Sequence, residues 1–199
     1  MNPEVLSMKK TPCATYILLA ANLIVFFASK LLGGSEDYAT MLRLGAASAP
    51  LIKEGEYWRL FTSMFLHFGF MHLANNMIVL FALGENLENV LGPVRYALLY
   101  LMGGLAGNLL AFAHDLLIGR TGISAGASGA VFALLGCYVF LLLKNRRNMP
   151  RMVVGRVIFG AALALLPGFY TPGVDAFAHL GGFAFGLAFA FALKRTIEP

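Results

Sequence analysis

The chain has 199 residues, 59% of them apolar and 13% charged, with a formal net charge of +5. That is too apolar for a soluble domain of this size, so lipid is the expected solvent. Nucleic-acid binding by a basic patch is the weaker reading of the charge, because the Lys and Arg residues lie in short segments between apolar runs.

Six uncharged windows follow one another along the chain, at 11–29, 60–84, 96–114, 121–143, 157–174 and 176–193, each at least 18 residues long. A helix of about 20 residues crosses a hydrocarbon core. Only helices and closed barrels satisfy their own backbone in lipid, and the period-2 alternation of barrel strands is absent. The expectation is therefore an all-α membrane protein of six transmembrane helices, at about 12–31, 69–90, 95–114, 127–144, 152–169 and 174–194, in a single domain covering 1–199. The first window is too long for a signal-peptide core and lacks a convincing cleavage site after "FFASKLLGG", which reads as a retained helix.

Residues 30–59 make the one long connection, and "MLRLGAASAPLI" within it mixes apolar positions with Gly, Ala and Pro. It is expected to lie partly helical at the outer interface, with Trp58 anchored at head-group level. With the N-terminus inside, the inner segments carry Lys9, Lys10, Arg95, Lys144, Arg146, Arg147, Arg151, Arg156, Lys194 and Arg195, while Lys30, Arg43, Lys53, Arg59 and Arg120 fall outside. This excess places both termini in the cytoplasm and the basic run "KNRRNMPR" on the inner face. Cys13 and Cys137 fall at different depths without metal-ligand company, and both read as packing residues.

Small residues cluster in "GGLAGN" (103–108), "GASGAVFALLG" (126–136) and "GGFAFG" (181–186), where they let helix backbones approach closely. Gly182 and Gly186 form a GxxxG face on the sixth span, and Gly129 and Ala133 a similar one on the fourth. Against this background four polar side chains stand out, His72, Asn76, Ser128 and His179, because polar groups inside spans are costly and mark function by default. Ser128 precedes Lys144 by 16 residues and His179 precedes Lys194 by 15. At 1.5 Å per residue both lie roughly 22–24 Å from the inner boundary, at matching depth. Helices four and six run in the same direction, so packing through their small-residue faces brings the hydroxyl toward the imidazole. An imidazole can take the serine proton, which makes a hydrolase constellation. The plain alternative is a packing serine bonded to its own helix and a buried histidine donor.

His72 and Asn76 stand four residues apart on one helix face, with His67 in the preceding loop or first turn. An amide and an imidazole N–H, together with the Ser128 backbone N–H, can hold the oxyanion of an acyl-transfer intermediate. An interhelical hydrogen-bond pair or a metal site at His67 and His72 is the alternative, the latter disfavoured by a spacing that splays the rings. Asp175, one turn before His179, reads first as a helix cap and second as a triad acid, which leaves a Ser–His dyad.

These pieces together resemble the rhomboid intramembrane serine proteases: Trp58 and Arg59 in the first outer loop, "HFGFMHLANNM", "GENLENVLG", "GASG" and "AHLGGFAFG", in order over about residues 57–190. The resemblance implies a six-helix bundle with a water-filled cavity open to the outside, where Ser128 attacks a peptide bond and His179 is base and then acid. It implies an oxyanion held by His72, Asn76 and the Ser128 amide, Gly126 shaping the loop beside the nucleophile, and structural roles for Arg59 and Glu88. Glu88 on its own reads as a solvated acid at the inner end of the second span. Some members carry Tyr one turn after the serine; here it is Phe132, which keeps the stacking on the histidine and loses the phenol.

The implied substrates are transmembrane or juxtamembrane segments of membrane proteins, weakened by Gly, Ala or Pro and unwound near the outer face. They would enter between helices two and five beneath a movable connection, "FYTPGVDAF". The lipid bilayer is the other partner; no cofactor, metal or nucleic acid is expected. Two rivals are a catalytically silent rhomboid-like scaffold, which predicts loss of Ser or His, and a small transporter, whose polar residues would reach both faces. Without an organelle-targeting signature, a bacterial inner membrane is the expected location.

Overall fold

The computed structural model describes residues 11–148, 151–166, 169 and 174–193. The main helices are α1 (Cys13–Leu31), α5 (Gly69–Leu91), α6 (Pro93–Ile118), α7 (Ser128–Lys144), α8 (Arg151–Leu165) and α9 (Ala176–Ala192). Between α1 and α5 lie α2 (Tyr38–Leu44), strand β1 (Ala47–Ser48), α3 (Ala49–Lys53), α4 (Arg59–Thr62) and a 3-10 turn, Ser63–Phe65. Strand β2 (Ile123–Ser124) precedes α7. Of the residues expected in the fifth and sixth spans, 167, 168 and 194 lie outside the described ones, as do Lys9, Lys10, Arg195 and residues 170–173 of the expected cap.

By length and composition α1 and α6 can each cross a membrane, and Arg59–Phe65 with α5 makes a third apolar unit bent by 89°. The bend follows from the chain chemistry: Gly69, at φ 76, opens α5 after "HF", so the apolar run that begins at Leu60 cannot continue as one helix. α7 and α9 are apolar helices of 17 residues each.

α9 packs most closely on α7 and on α6, and α6 in turn on α7. A Cβ on Gly182 would overlap the Gly129 carbonyl, and one on Gly186 the Ala133 carbonyl. The GxxxG face of the sixth span is thus spent on backbone contact with the fourth. Gly107 lies against the Ala178 carbonyl in the same way, which draws α6 into the cluster. α1 packs on α5 at the side of this trio, and α8 has a single buried residue, Ala161.

Two features depart from the sequence reading. The connection between α1 and α5 carries β1, which pairs antiparallel with β2, Ala47 opposite Ser124 and Ser48 opposite Ile123. The connection between α1 and α5 is thereby hydrogen-bonded to the segment four residues before Ser128. Glu88, read on its own as a solvated acid, is instead 5% exposed and accepts from Ala14 N (2.9 Å), Thr15 N (2.8 Å) and the Thr15 hydroxyl (2.8 Å). Helix α1 has Pro12 at its N-cap, which offers no side-chain acceptor, so a carboxylate from α5 satisfies the orphan donors and meets the positive end of the dipole.

Arg59 is buried, pairs with Glu56 at 2.6 Å and donates to the Leu42 and Ala46 carbonyls at 2.6 and 3.1 Å. Its guanidinium lies 4.6 Å from the Trp58 ring, which is 48% exposed. One side chain therefore gathers α2, β1 and α4 into a unit. Asn108 of α6 fastens that unit to the bundle, donating to Leu60 O at 2.7 Å and Ser63 Oγ at 3.0 Å.

Candidate active site

Ser128 is the first residue of α7, so its backbone N–H has no partner within the helix, and among the described residues it has no hydrogen-bond acceptor. The approach to it is fixed by three contacts. Gly126 N donates to Ser63 O at 2.9 Å, Ala127 N donates to His67 Nε2 at 3.3 Å, and Ala127 is fully buried. Gly126 stands at φ 147, where an L side chain is strained. A Cβ there would lie 2.8 Å from His72 Nε2 and 3.8 Å from Ser128 Oγ. The imidazole and the hydroxyl therefore face the space of one missing methyl group.

His67, placed by sequence in the loop or first turn, lies just before α5 and is completely buried. Its ring meets His72 edge-on, centroids 5.2 Å apart at 72°. Accepting from Ala127 fixes the tautomer with the proton on Nδ1. Asn76, 7% exposed, lies one turn below His72 and donates to the His72 carbonyl at 3.1 Å. That bond uses one amide proton and leaves the second available.

His179 occupies the first turn of α9 and is 6% exposed. Its ring stacks on Phe132, centroids 4.2 Å apart at 23°. Phe132 is one turn after Ser128 on α7, so the stack sets the imidazole against α7 one turn from the serine. Among the described residues no hydrogen bond joins the Ser128 hydroxyl to His179, and His179 Nδ1 is buried without a partner.

Asp175 is the N-cap of α9, its Oδ1 accepting from Phe177 N at 3.1 Å and Ala178 N at 3.0 Å. This is the capping arrangement preferred from sequence; the carboxylate is committed to the helix end and makes no hydrogen bond to the imidazole. Beside it His114 of α6 stacks on Phe177 at 3.6 Å, clamping the start of α9.

Sequence reasoning missed Asn108, His114 and the tether from Asn22 of α1 to Tyr100 of α6 at 3.1 Å. A lone amide within an apolar window was the available signal for both asparagines. Their partners are a distant carbonyl and a phenol, which no local spacing reveals.

Short apolar helices drawn together by glycine, with a serine at one helix start and an imidazole in the first turn of its neighbour, define a polytopic helical membrane protein with a polar centre sunk among its helices. The chain belongs to the rhomboid family: residues 54–196 match the rhomboid domain. It is 35% identical over 182 residues to "Rhomboid protease GluP" of Bacillus subtilis, covering 92% of this chain and 35% of that protein. It is 41% identical over 160 residues to "RHOMBOID-like protein 1" of Arabidopsis thaliana, covering 78% of this chain and 40% of that one. With "Putative rhomboid protease YdcA" of Bacillus subtilis it shares 34% identity over 192 residues, 94% of this chain and 91% of the relative. The chain thus spans less than half the length of the first two relatives and nearly all of the third.

Proposed function

We propose that the chain is an intramembrane serine endopeptidase in which Ser128 is the nucleophile and His179 the general base. The observation that carries this reading is the Phe132–His179 stack, 4.2 Å between centroids, one turn from a serine that opens its helix with an N–H that has no acceptor among the described residues. The proposed chemistry requires a hydrogen bond between the Ser128 hydroxyl and the His179 imidazole. His179 Nε2 takes the hydroxyl proton as Oγ attacks the scissile carbonyl carbon, then returns it to the departing amine; water repeats the cycle on the acyl-enzyme. Charge develops on the former carbonyl oxygen, and the Ser128 N–H, the second Asn76 amide proton and the His72 ring are the donors proposed to hold it. Gly126 keeps the space between them clear.

The proposed setting is a single domain of six spans with both termini cytoplasmic and the site open to the outside, in a bacterial inner membrane. A 17-residue helix rises about 25 Å, less than the hydrocarbon thickness of about 30 Å, so α7 begins below a membrane surface when its basic end is at the opposite one. Access between α5 and α8 is favoured by the sparse burial of α8. Substrates are segments of membrane proteins that leave helical form in the hydrated cavity, with small residues at the cleaved position fitting the Gly-lined walls.

The relatives "Rhomboid protease GluP" and "Rhomboid-type serine protease 2" of Emericella nidulans are named for this chemistry, which supports extending it to this chain. The test is cleavage of a transmembrane reporter in proteoliposomes. Ser128→Ala and His179→Ala are each expected to reduce the rate by a factor on the order of 1,000 or more. Cleavage at the parental rate by either variant would reject the dyad, and absence of cleavage by the parental chain would favour a silent scaffold.

A further inference from the structure

At the end of α7 remote from Ser128, a cavity of about 580 Å³ is lined by Arg146, Arg147, Arg151 and Val154. We propose that it is a phosphoryl-binding site whose ligand is the headgroup of an anionic phospholipid.

Three properties of the lining argue for this ligand. Among the described residues no carboxylate pairs with any of the three guanidinium groups, although Arg59 and Arg120 elsewhere in the chain both have acidic partners. Three guanidinium groups around one hollow without a carboxylate among the described residues repel each other, and an anion relieves that repulsion. Guanidinium forks match the planar spread of phosphate oxygens and bind them in pairs. Arg151 is also the first residue of the 15-residue α8, so the positive end of a helix dipole faces the same place.

The depth of the cavity selects the lipid. On the proposed six-span topology, on which this inference rests, the apolar run of α7 ends at Leu143, Lys144 and Asn145 lead into Arg146 and Arg147, and the uncharged stretch of α8 begins at residue 157. The cavity therefore sits where the chain leaves hydrocarbon and returns to it, which is headgroup level, and Val154 gives it one apolar wall for the glycerol and upper acyl carbons. It lies a helix length, about 25 Å, from Ser128, so lipid binding and peptide-bond chemistry can be measured separately.

The test uses the full chain in neutral detergent, titrated with phosphatidylglycerol carrying a fluorescent acyl chain, with the equivalent phosphatidylcholine and inorganic phosphate in parallel. Phosphatidylglycerol should bind more tightly than phosphatidylcholine. The triple variant Arg146→Gln, Arg147→Gln, Arg151→Gln should weaken it on the order of tenfold or more. A triple Lys variant, keeping charge without the planar fork, should fall between. Lys53→Gln, at an exposed cation that ends α3, should leave affinity unchanged and controls for overall charge.

Competition by millimolar inorganic phosphate would assign recognition to the phosphoryl group alone. Its failure, with headgroup selectivity retained, would assign it to the lipid. The three arginines are exposed, and an unchanged thermal midpoint without lipid verifies that the Gln variant folds. Equal affinity for the two lipids, or undiminished phosphatidylglycerol binding by the folded Gln variant, would overturn the proposal.

Discussion

The setting of Ser128 is decided by the residue two places before it. Gly126 combines a left-handed φ of 147 with a Cβ direction that ends 2.8 Å from the His72 ring, so substitution there meets two separate obstacles. Gly126→Ala should cost about 1–3 kcal/mol in strain and displacement. Activity should fall on the order of tenfold to a hundredfold as His72 is pushed from the proposed oxyanion. The check is kcat beside thermal unfolding in the same detergent. Asp175 gives the opposite expectation. Its carboxylate holds the start of α9 and not the imidazole, and Asn caps a helix about as well as Asp. Asp175→Asn should therefore keep kcat within about tenfold, whereas loss of a triad acid costs about 10,000-fold. A collapse of that size in an Asp175→Asn protein of normal stability would restore the triad reading.

At the scale of elements, the outstanding contact is that of α9 with α7, where glycine backbone meets glycine and alanine backbone. Gly182→Val places two methyl groups where the Gly129 carbonyl stands. Neither partner is a flexible side chain, so the helices must separate, at a cost of about 1–3 kcal/mol or more. Because the Phe132–His179 stack spans the same interface, the variant should lose activity as well as thermal stability; a fall in stability alone would mean that the interface does not position the imidazole.

This interface was legible in the sequence because helical spacing of small residues has a local signature, as do the i, i+4 pair of His72 and Asn76 and the cap at Asp175. The resemblance implied a structural role for Glu88, but the contact that performs it was not legible in the residue itself. An acid near a helix end is ordinarily solvated, and its capping of α1 depends on two helices distant in sequence meeting at one level. The β1–β2 pairing escaped for the same reason: two residues per strand carry no periodicity.

For the whole molecule, length and charge act together. α7 and α9 are shorter than a typical bilayer requires, and the proposed site lies at the N-terminal ends of both. At the far end of α7, Arg146, Arg147 and Arg151 line one hollow, the proposed headgroup site. A short helix fixed at its basic end leaves its other end below the surface, which is the arrangement by which water and an unwound peptide could reach a serine inside a membrane. α8 has the sparsest burial of the main helices, with Ala161 its one buried residue.

The central claim is that Ser128 becomes nucleophilic through His179, and a mechanism-based label tests it without knowledge of the substrate. The folded chain should react with a fluorophosphonate to give one covalent adduct by intact mass, mapped to Ser128. Ser128→Ala should give none, and His179→Ala should label at least about 100-fold more slowly. Labelling elsewhere, or at an undiminished rate without the imidazole, would contradict the account.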